Sequence, residues 1–275
     1  MTLSIAIIGF GEVGQLFGRQ FRERGARVAV HDRLFDDPGR GPALADRAGT
    51  LGLRAAASHG EAVRGAGLVI SAVTADQAVA AAQQCAPYLE QGQVYIDLNS
   101  VSPATKGRVA AALPPTGVHF VEWAVMAPVA EPGIAVPILA GGPRAAALAA
   151  DLNRLGMRID PVGEEIGIAS ATKLCRSIVI KGMEALMVDL SLVTARNGVL
   201  PAVLKSLSAS YPGMDWAEVV KVMPGRVRRH GRRRAAEMRE CAAMLREAGL
   251  AGDLAEAIAV RHETFAGAPA PEGKA

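Results

Sequence analysis

Up to about residue 160 the chain alternates two textures. Short apolar runs at Ser4–Ile8, Arg27–His31, Leu68–Val73, Val94–Leu98, Val118–Glu122 and Ala135–Ala140 read as buried strands. Between them, Glu12–Glu23, Ala75–Leu89, Pro103–Leu113 and Pro143–Leu155 carry apolar residues at helical spacing. Strands that are apolar on both faces and alternate with helices predict a parallel, doubly wound sheet covered on both sides. Pro103 and Pro143 stand where a first helical turn tolerates proline.

After Pro161 the strand-like runs stop. A helical pattern starts near Gly167 and runs to about Arg196, where Asn197-Gly198 supplies a C-terminal stop. Further helices are predicted over Pro201–Ser210, Trp216–Met223, Arg226–Ala248 and Asp253–Phe265. The pattern therefore predicts an α/β Rossmann-type domain over residues 1–162 and an all-α domain over 163–265. The tail 266–275, rich in Pro and Gly, is expected to be disordered.

Composition narrows the classes. Half of the 275 residues are apolar and 21% are charged, a globular balance rather than a disordered one. A formal charge of +3 is too small to support a whole-chain nucleic-acid binder. The three cysteines are far apart and form no CxxC, which argues against a disulfide framework or a structural zinc site. No metal is expected: HExxH is absent and the five histidines do not cluster. No signal peptide is read at the N-terminus, and the apolar stretch Leu174–Val188 is broken by Arg176, Lys181 and Glu184. A cytoplasmic protein with reduced thiols is expected; Cys175 reads as a buried small residue.

Candidate chemistry begins at the first turn. Gly9-Phe10-Gly11-Glu12-Val13-Gly14 is GxGxxG placed after a strand and before a helix. Gly9 allows the tight turn, Gly11 lets a pyrophosphate approach the backbone, and Gly14 lets helix and strand pack closely. The helix N-terminus then offers N–H groups to phosphate. The second strand ends in Asp32, eighteen residues beyond Gly14, where an acid accepts the adenosine ribose hydroxyls. Asp32 favours NAD; the adjacent Arg33 keeps NADP open, since it can cover a 2′-phosphate. Val73 and Thr74, where the Leu68–Val73 strand ends, complete the expected cofactor contacts.

Lys173, Ser177 and Lys181 are spaced i, i+4, i+8 on one face of an otherwise apolar helix. Apolar flanks partly desolvate an amine and bring it toward the range useful for proton transfer. Lys173 is therefore the candidate acid/base, with Lys181 as a substrate contact; the bland alternative is that both amines reach the surface. Arg226 to Arg234 packs six arginines and a histidine into nine residues. A solvated helix face is the default reading, an anion pocket the second, and nucleic acid the least favoured. Trp123 is read evenly as a pocket wall or as core.

Together these residues resemble the β-hydroxyacid dehydrogenase superfamily, the 3-hydroxyisobutyrate and 6-phosphogluconate dehydrogenase group. The closest likeness is to members with a variant helical C-terminal domain, and it runs from Gly9 to about His262. Asp97-Leu-Asn99-Ser100-Val-Ser102-Pro103 looks like the family's substrate-binding DxSTxSP element. Gly167 to Lys173 is similar to GxxGxGxxxKxxxN, whose lysine is the catalytic acid/base. Arg233-Arg-Ala-Ala-Glu237-Met falls at the family's KDL helix start, without its aspartate. The family's asparagine after the lysine is Ser177 here, two of its motif glycines become Glu164 and Ala169, and its SGG loop becomes Met126-Ala127-Pro128. The proline has no N–H to give a carboxylate.

The resemblance implies an NAD(P)-dependent oxidoreductase acting on a hydroxyacid or related alcohol. It implies Lys173 as general acid/base, Asn99, Ser100, Met126, Ser177 and Lys181 at the substrate, and a homodimer through the helical domain. Imine reduction on the same scaffold is the first alternative, although imine-reducing relatives commonly replace the lysine. A dinucleotide-binding protein without turnover is the second.

Overall fold

The structure, a computed structural model, describes residues 3–115 and 117–268. Residues 269–275 of the expected disordered tail lie outside the described residues. Contacts divide the chain into two compact units after Lys173.

The first unit runs β1 (Ser4–Ile8), α1 (Glu12–Glu23), β2 (Arg27–His31), α2 (Gly41–Thr50), β3 (Arg54–Ala55), α3 (His59–Val63) and β4 (Leu68–Ser71). It continues with α4 (Ala78–Cys85), β5 (Val94–Asp97), α5 (Pro103–Ala111), β6 (His119–Val125), β7 (Pro137–Gly141), α6 (Ala145–Asn153) and β8 (Arg158–Gly163). The strands form one sheet in the order β3-β2-β1-β4-β5-β6-β7-β8. The strand order reverses between β1 and β4, the switch point beside which doubly wound sheets bind ligands.

The sheet departs from the expected parallel arrangement at one pair. β6 and β7 run antiparallel, with Trp123 opposite Ala140. The link between them holds only a short 3-10 turn at Gly133–Ala135, whereas a parallel crossover needs a dozen or more residues and usually a helix.

Alternation along the strands sends side chains to two cores. Ile5, Ile7, Val30, Ile70 and Ile96 pack with Phe17 and Phe21 of α1 on one face. Ala6, Ile8, Val69 and Tyr95 pack with Val63, Ala82 and Val109 on the other. Trp123 is fully buried in the first core, so of its two readings the core one holds.

The second unit is helical: α7 (Ile168–Asn197, which the division crosses), α8 (Leu200–Ser210), α9 (Trp216–Glu247) and α10 (Asp253–Phe265). Gly198 ends α7 at φ +66, the left-handed cap that a glycine takes without strain. The predicted break at Pro224 does not occur: α9 runs through it. Interior proline costs one helical hydrogen bond, about 3 kcal/mol. The apolar face around the break, Val220, Val227, Ala235 and Met238, is buried and favours a continuous helix. Leu174, Ala235, Met238, Ala242, Ile258 and Ala259 form this unit's core. Cys175 is a correction to the sequence reading: its position on α7 faces outward and the thiol is exposed. Among the described residues no helix is long and apolar enough to cross a membrane.

Candidate active site

The turn after β1 is built as a phosphate-binding turn requires. Gly9 has φ +100, and a Cβ there would lie 2.4 Å from the Ala72 carbonyl oxygen. A Cβ at Gly14 would lie 2.0 Å from the Gly9 oxygen, so α1 rests directly on the turn. At Gly11 a Cβ would meet nothing within 4 Å. The backbone there borders open space, and Gly11 caps α1 with no side-chain hydrogen bond to its first N–H groups. Glu12 and Val13 follow in that first turn; Glu12 is exposed and Val13 half-buried.

Asp32 fixes the neighbouring strand end to this turn. Its Oδ2 accepts from Phe10 N at 2.7 Å and its Oδ1 from Leu34 N at 2.9 Å. Each carboxylate oxygen keeps a further lone pair for an outside hydroxyl. Arg33 is exposed and close enough to Asp76 to help lower its carboxyl below the usual value; hydrogen bonds from Thr74 and Gln77 do more. Val73 and Thr74 follow β4, across the switch point, with Val73 N near the Gly9 turn. These residues fit a dinucleotide: an open glycine at a helix start, and an anchored acid at the second strand.

The end of β5 carries a second polar group. Lys106 of α5 is fully buried and donates to Asp97 Oδ2 at 2.6 Å, to Asp97 O at 2.8 Å and to Asn99 O at 2.8 Å. Asn99 Nδ2 donates to Ser71 Oγ at 3.0 Å and to Asp97 Oδ1. The Asn99 amide is thus turned inward, bracing the strand end, and its Oδ1 has no hydrogen-bond partner among the described residues. The next residue, Ser100, is half-buried, and its Oγ accepts a hydrogen bond from Lys173 Nζ.

Lys173 is aimed by a buried carboxylate. Glu122 Oε1 accepts from Gly167 N at 2.8 Å and Ala169 N at 2.9 Å, and Oε2 from Ser170 N at 3.3 Å. These are orphan donors of the α7 start, and a carboxylate suits the positive end of the helix dipole. Burial raises the Glu122 carboxyl above its ordinary value, while Lys106 and the three N–H groups act the other way. Ser170 Oγ adds a bond to Val101 O at 3.0 Å. Met126 is half-buried, and its N–H is spent on Pro137 O at 2.9 Å, so this N–H is not open to a ligand.

Ser177 and Lys181 lie in the helical unit and form a buried triad there. Glu237 Oε1 accepts from Ser177 Oγ at 2.5 Å and from Lys181 Nζ at 2.7 Å. Lys181 thus neither reaches the surface nor stands open; it is ion-paired. Beside it, Glu184 pairs with Arg234 at 2.5 Å, and burial raises the Glu184 carboxyl while Arg234, Lys181 and Arg226 oppose. Of the arginine run, Arg226, Arg229, Arg232 and Arg233 are exposed, while Arg234 turns inward to Glu184.

Sequence reading missed Lys106, Glu122 and Glu237 as the residues that hold the candidates. Lys106 and Glu237 had a signal in helical spacing, which sets a charge on an apolar face. Glu122 had a weaker one, a charge inside a strand.

The family described as the NAD binding domain of 6-phosphogluconate dehydrogenase matches residues 4–155. A domain of unknown function, DUF1932, matches residues 195–265. A conserved hypothetical protein from Sinorhizobium meliloti 1021 is 38% identical, with a TM-score of 0.85 over 100% of this chain and 92% of its own. MTH1747, a conserved protein described as structurally similar to 3-hydroxyacid dehydrogenases, is 31% identical, with a TM-score of 0.78 over 96% of each chain. The 3-hydroxyisobutyrate dehydrogenase of Mycobacterium tuberculosis shares the fold at 18% identity, with a TM-score of 0.79 over 96% of this chain and 94% of its own.

Proposed function

The chain belongs to the β-hydroxyacid dehydrogenase superfamily, and we propose that it is a cytoplasmic NAD(P)-dependent oxidoreductase acting on a hydroxyacid or related alcohol. One observation carries the reading: Lys173 Nζ is hydrogen-bonded to Ser100 Oγ at the end of β5, two strands from the Gly9–Gly14 turn. An amine and a hydroxyl in contact can pass a proton to or from a substrate oxygen.

The Gly9–Gly14 turn and the first turn of α1 hold the pyrophosphate, and Asp32 accepts the ribose hydroxyls. The Asp32 carboxylate favours NAD, because a 2′-phosphate beside it meets a like charge, while the adjacent exposed Arg33 keeps NADP open. The bound nicotinamide supplies two-electron redox chemistry at the substrate carbon. Lys173 takes the hydroxyl proton as the alcohol is oxidised and returns it as the carbonyl is reduced. Ser100 orients that oxygen, and Asn99 holds the β5 end through Ser71 and Asp97. In the helical unit, Glu237 positions Ser177 and Lys181. Exposed Val179, Leu186 and Val193 recur every seven residues along α7, an apolar stripe that supports a homodimer through this unit.

Lys173→Ala is expected to keep NAD(H) affinity and lose about 10²–10⁴-fold in turnover, the range for a general acid/base. Steady-state kinetics on a panel of hydroxyacids and cyclic imines, with each cofactor, checks this. Near-normal turnover in the variant removes Lys173 from the mechanism, and activity confined to imines replaces alcohol chemistry.

A further inference from the structure

The dinucleotide-binding turn and the Lys173–Ser100 pair lie at the carboxyl ends of the strands. The opposite, amino ends of β1, β2 and β3 border a separate hollow of about 620 Å³. Its walls include Arg22 in the last turn of α1, Arg27 opening β2, Arg54 opening β3 and Arg64 just after α3. Among the described residues no hydrogen bond or ion pair engages the guanidinium groups of Arg22 and Arg27. Arg64 meets the Tyr88 ring, 5.7 Å from its centroid, and a ring offers no oxygen acceptor. Only Arg54 has a carboxylate, Glu61 at 2.5 Å.

Like charges gathered in one concavity repel unless an anion joins them. Here four arginines line one hollow, and a carboxylate pairs with one of them. Gly25 and Gly65, both at positive φ, turn the chain at the rim and put no side chain into the space. The volume falls within the range of small-molecule sites. A guanidinium fork matches phosphate oxygens two at a time, and a single phosphate cannot neutralise three unpaired arginines.

We infer that this hollow binds a small molecule carrying two or more phosphate groups, at a site separate from that of the redox cofactor. The inference does not depend on the dehydrogenase reading.

The test is calorimetry in about 150 mM salt, near physiological screening, with saturating NADH present. The probes are sodium tripolyphosphate and ATP. One site per chain is expected. The double variant Arg27→Gln/Arg64→Gln is expected to bind about 100-fold more weakly, taking about tenfold for each charged hydrogen-bonded contact. Its NADH affinity should be unchanged, and a cooperative melting transition should show that it remains folded. Arg229→Gln, an exposed arginine of α9, should bind as the parent does. Equal affinity for the two probes supports phosphate recognition alone, and tighter ATP binding supports a nucleotide. Absence of saturable binding, more than one site per chain, or equal loss in Arg229→Gln overturns the inference. So does tighter binding of single-stranded RNA than of either probe. Should NADH itself not bind, that result falls on the dehydrogenase reading, and the double variant still decides this one.

Discussion

Lys106 shows how a single charge can hold a strand end. Its amine is fully buried and bonded to the Asp97 carboxylate and two carbonyls. Removing one partner of such a pair leaves the other charge buried and alone, at a cost of about 3–5 kcal/mol. Lys106→Ala is expected to lose that much in urea unfolding; a loss below about 1 kcal/mol, the range of surface pairs, contradicts it. His59 gives the pH counterpart. Burial first, and then the nearby His31, hold its imidazole down to about 4, against the opposing pull of Asp32 and Asp36. The unfolded chain therefore binds this proton more readily. Its contribution to stability is complete above about 6.5 and is lost as pH falls from there toward about 4. His59→Asn should flatten the fall in melting temperature across that window, and an unchanged slope contradicts the assignment. At this scale the sequence exposed the chemistry-bearing residues better than their partners. Lys173, Ser177 and Lys181 stood out as charges or hydroxyls in an apolar helix. That Ser177 and Lys181 close on Glu237, sixty and fifty-six positions away, depends on how helices pack.

At the scale of elements, the approach of α9 to α10 turns on Gly231. A Cβ there would lie 2.2 Å from the His262 carbonyl oxygen and 2.8 Å from Ala266 Cβ. Alanine gains up to about 1 kcal/mol in helix propensity, but overpacking against backbone costs about 1–3 kcal/mol. Gly231→Ala should therefore destabilise the protein in urea titrations; a stabilised variant would show that the helices separate at no cost. The elements that could be read from sequence are those with strong periodicity. α1 was legible end to end because Phe17, Phe21 and the small Gly14 and Gly18 define one buried stripe. α2 was missed because it buries little besides Gly41 and Ala48, and its one clear signal was Pro42 in the first turn. β8 was missed because Pro161 and exposed Arg158 and Asp160 interrupt it, as an edge strand permits. The antiparallel β6–β7 pair was missed because strand patterns carry no direction; only the length of the link tells them apart.

At the scale of the molecule, the chain comprises a Rossmann-type sheet unit and a helical unit. The first was legible because GxGxxG, a following helix and an acid at the second strand agree in order and place. The second was legible as helices, but its polar interior was not, since Glu184 with Arg234 and Lys181 with Glu237 neutralise one another across helices. The proposed proton transfer therefore rests on Lys173 and the sheet, both in the first unit. The claim on which the rest depends is that a pyridine dinucleotide lies over the Gly9–Gly14 turn. Gly11 isolates that claim, because its φ of −75 suits any residue and an added Cβ meets no protein atom. The decisive measurement is an NADH titration of the parent chain and of Gly11→Leu, each checked for an unchanged melting temperature. The account predicts saturable binding by the parent and its loss in the variant. A parent that does not bind, or a folded variant that binds as tightly, contradicts it.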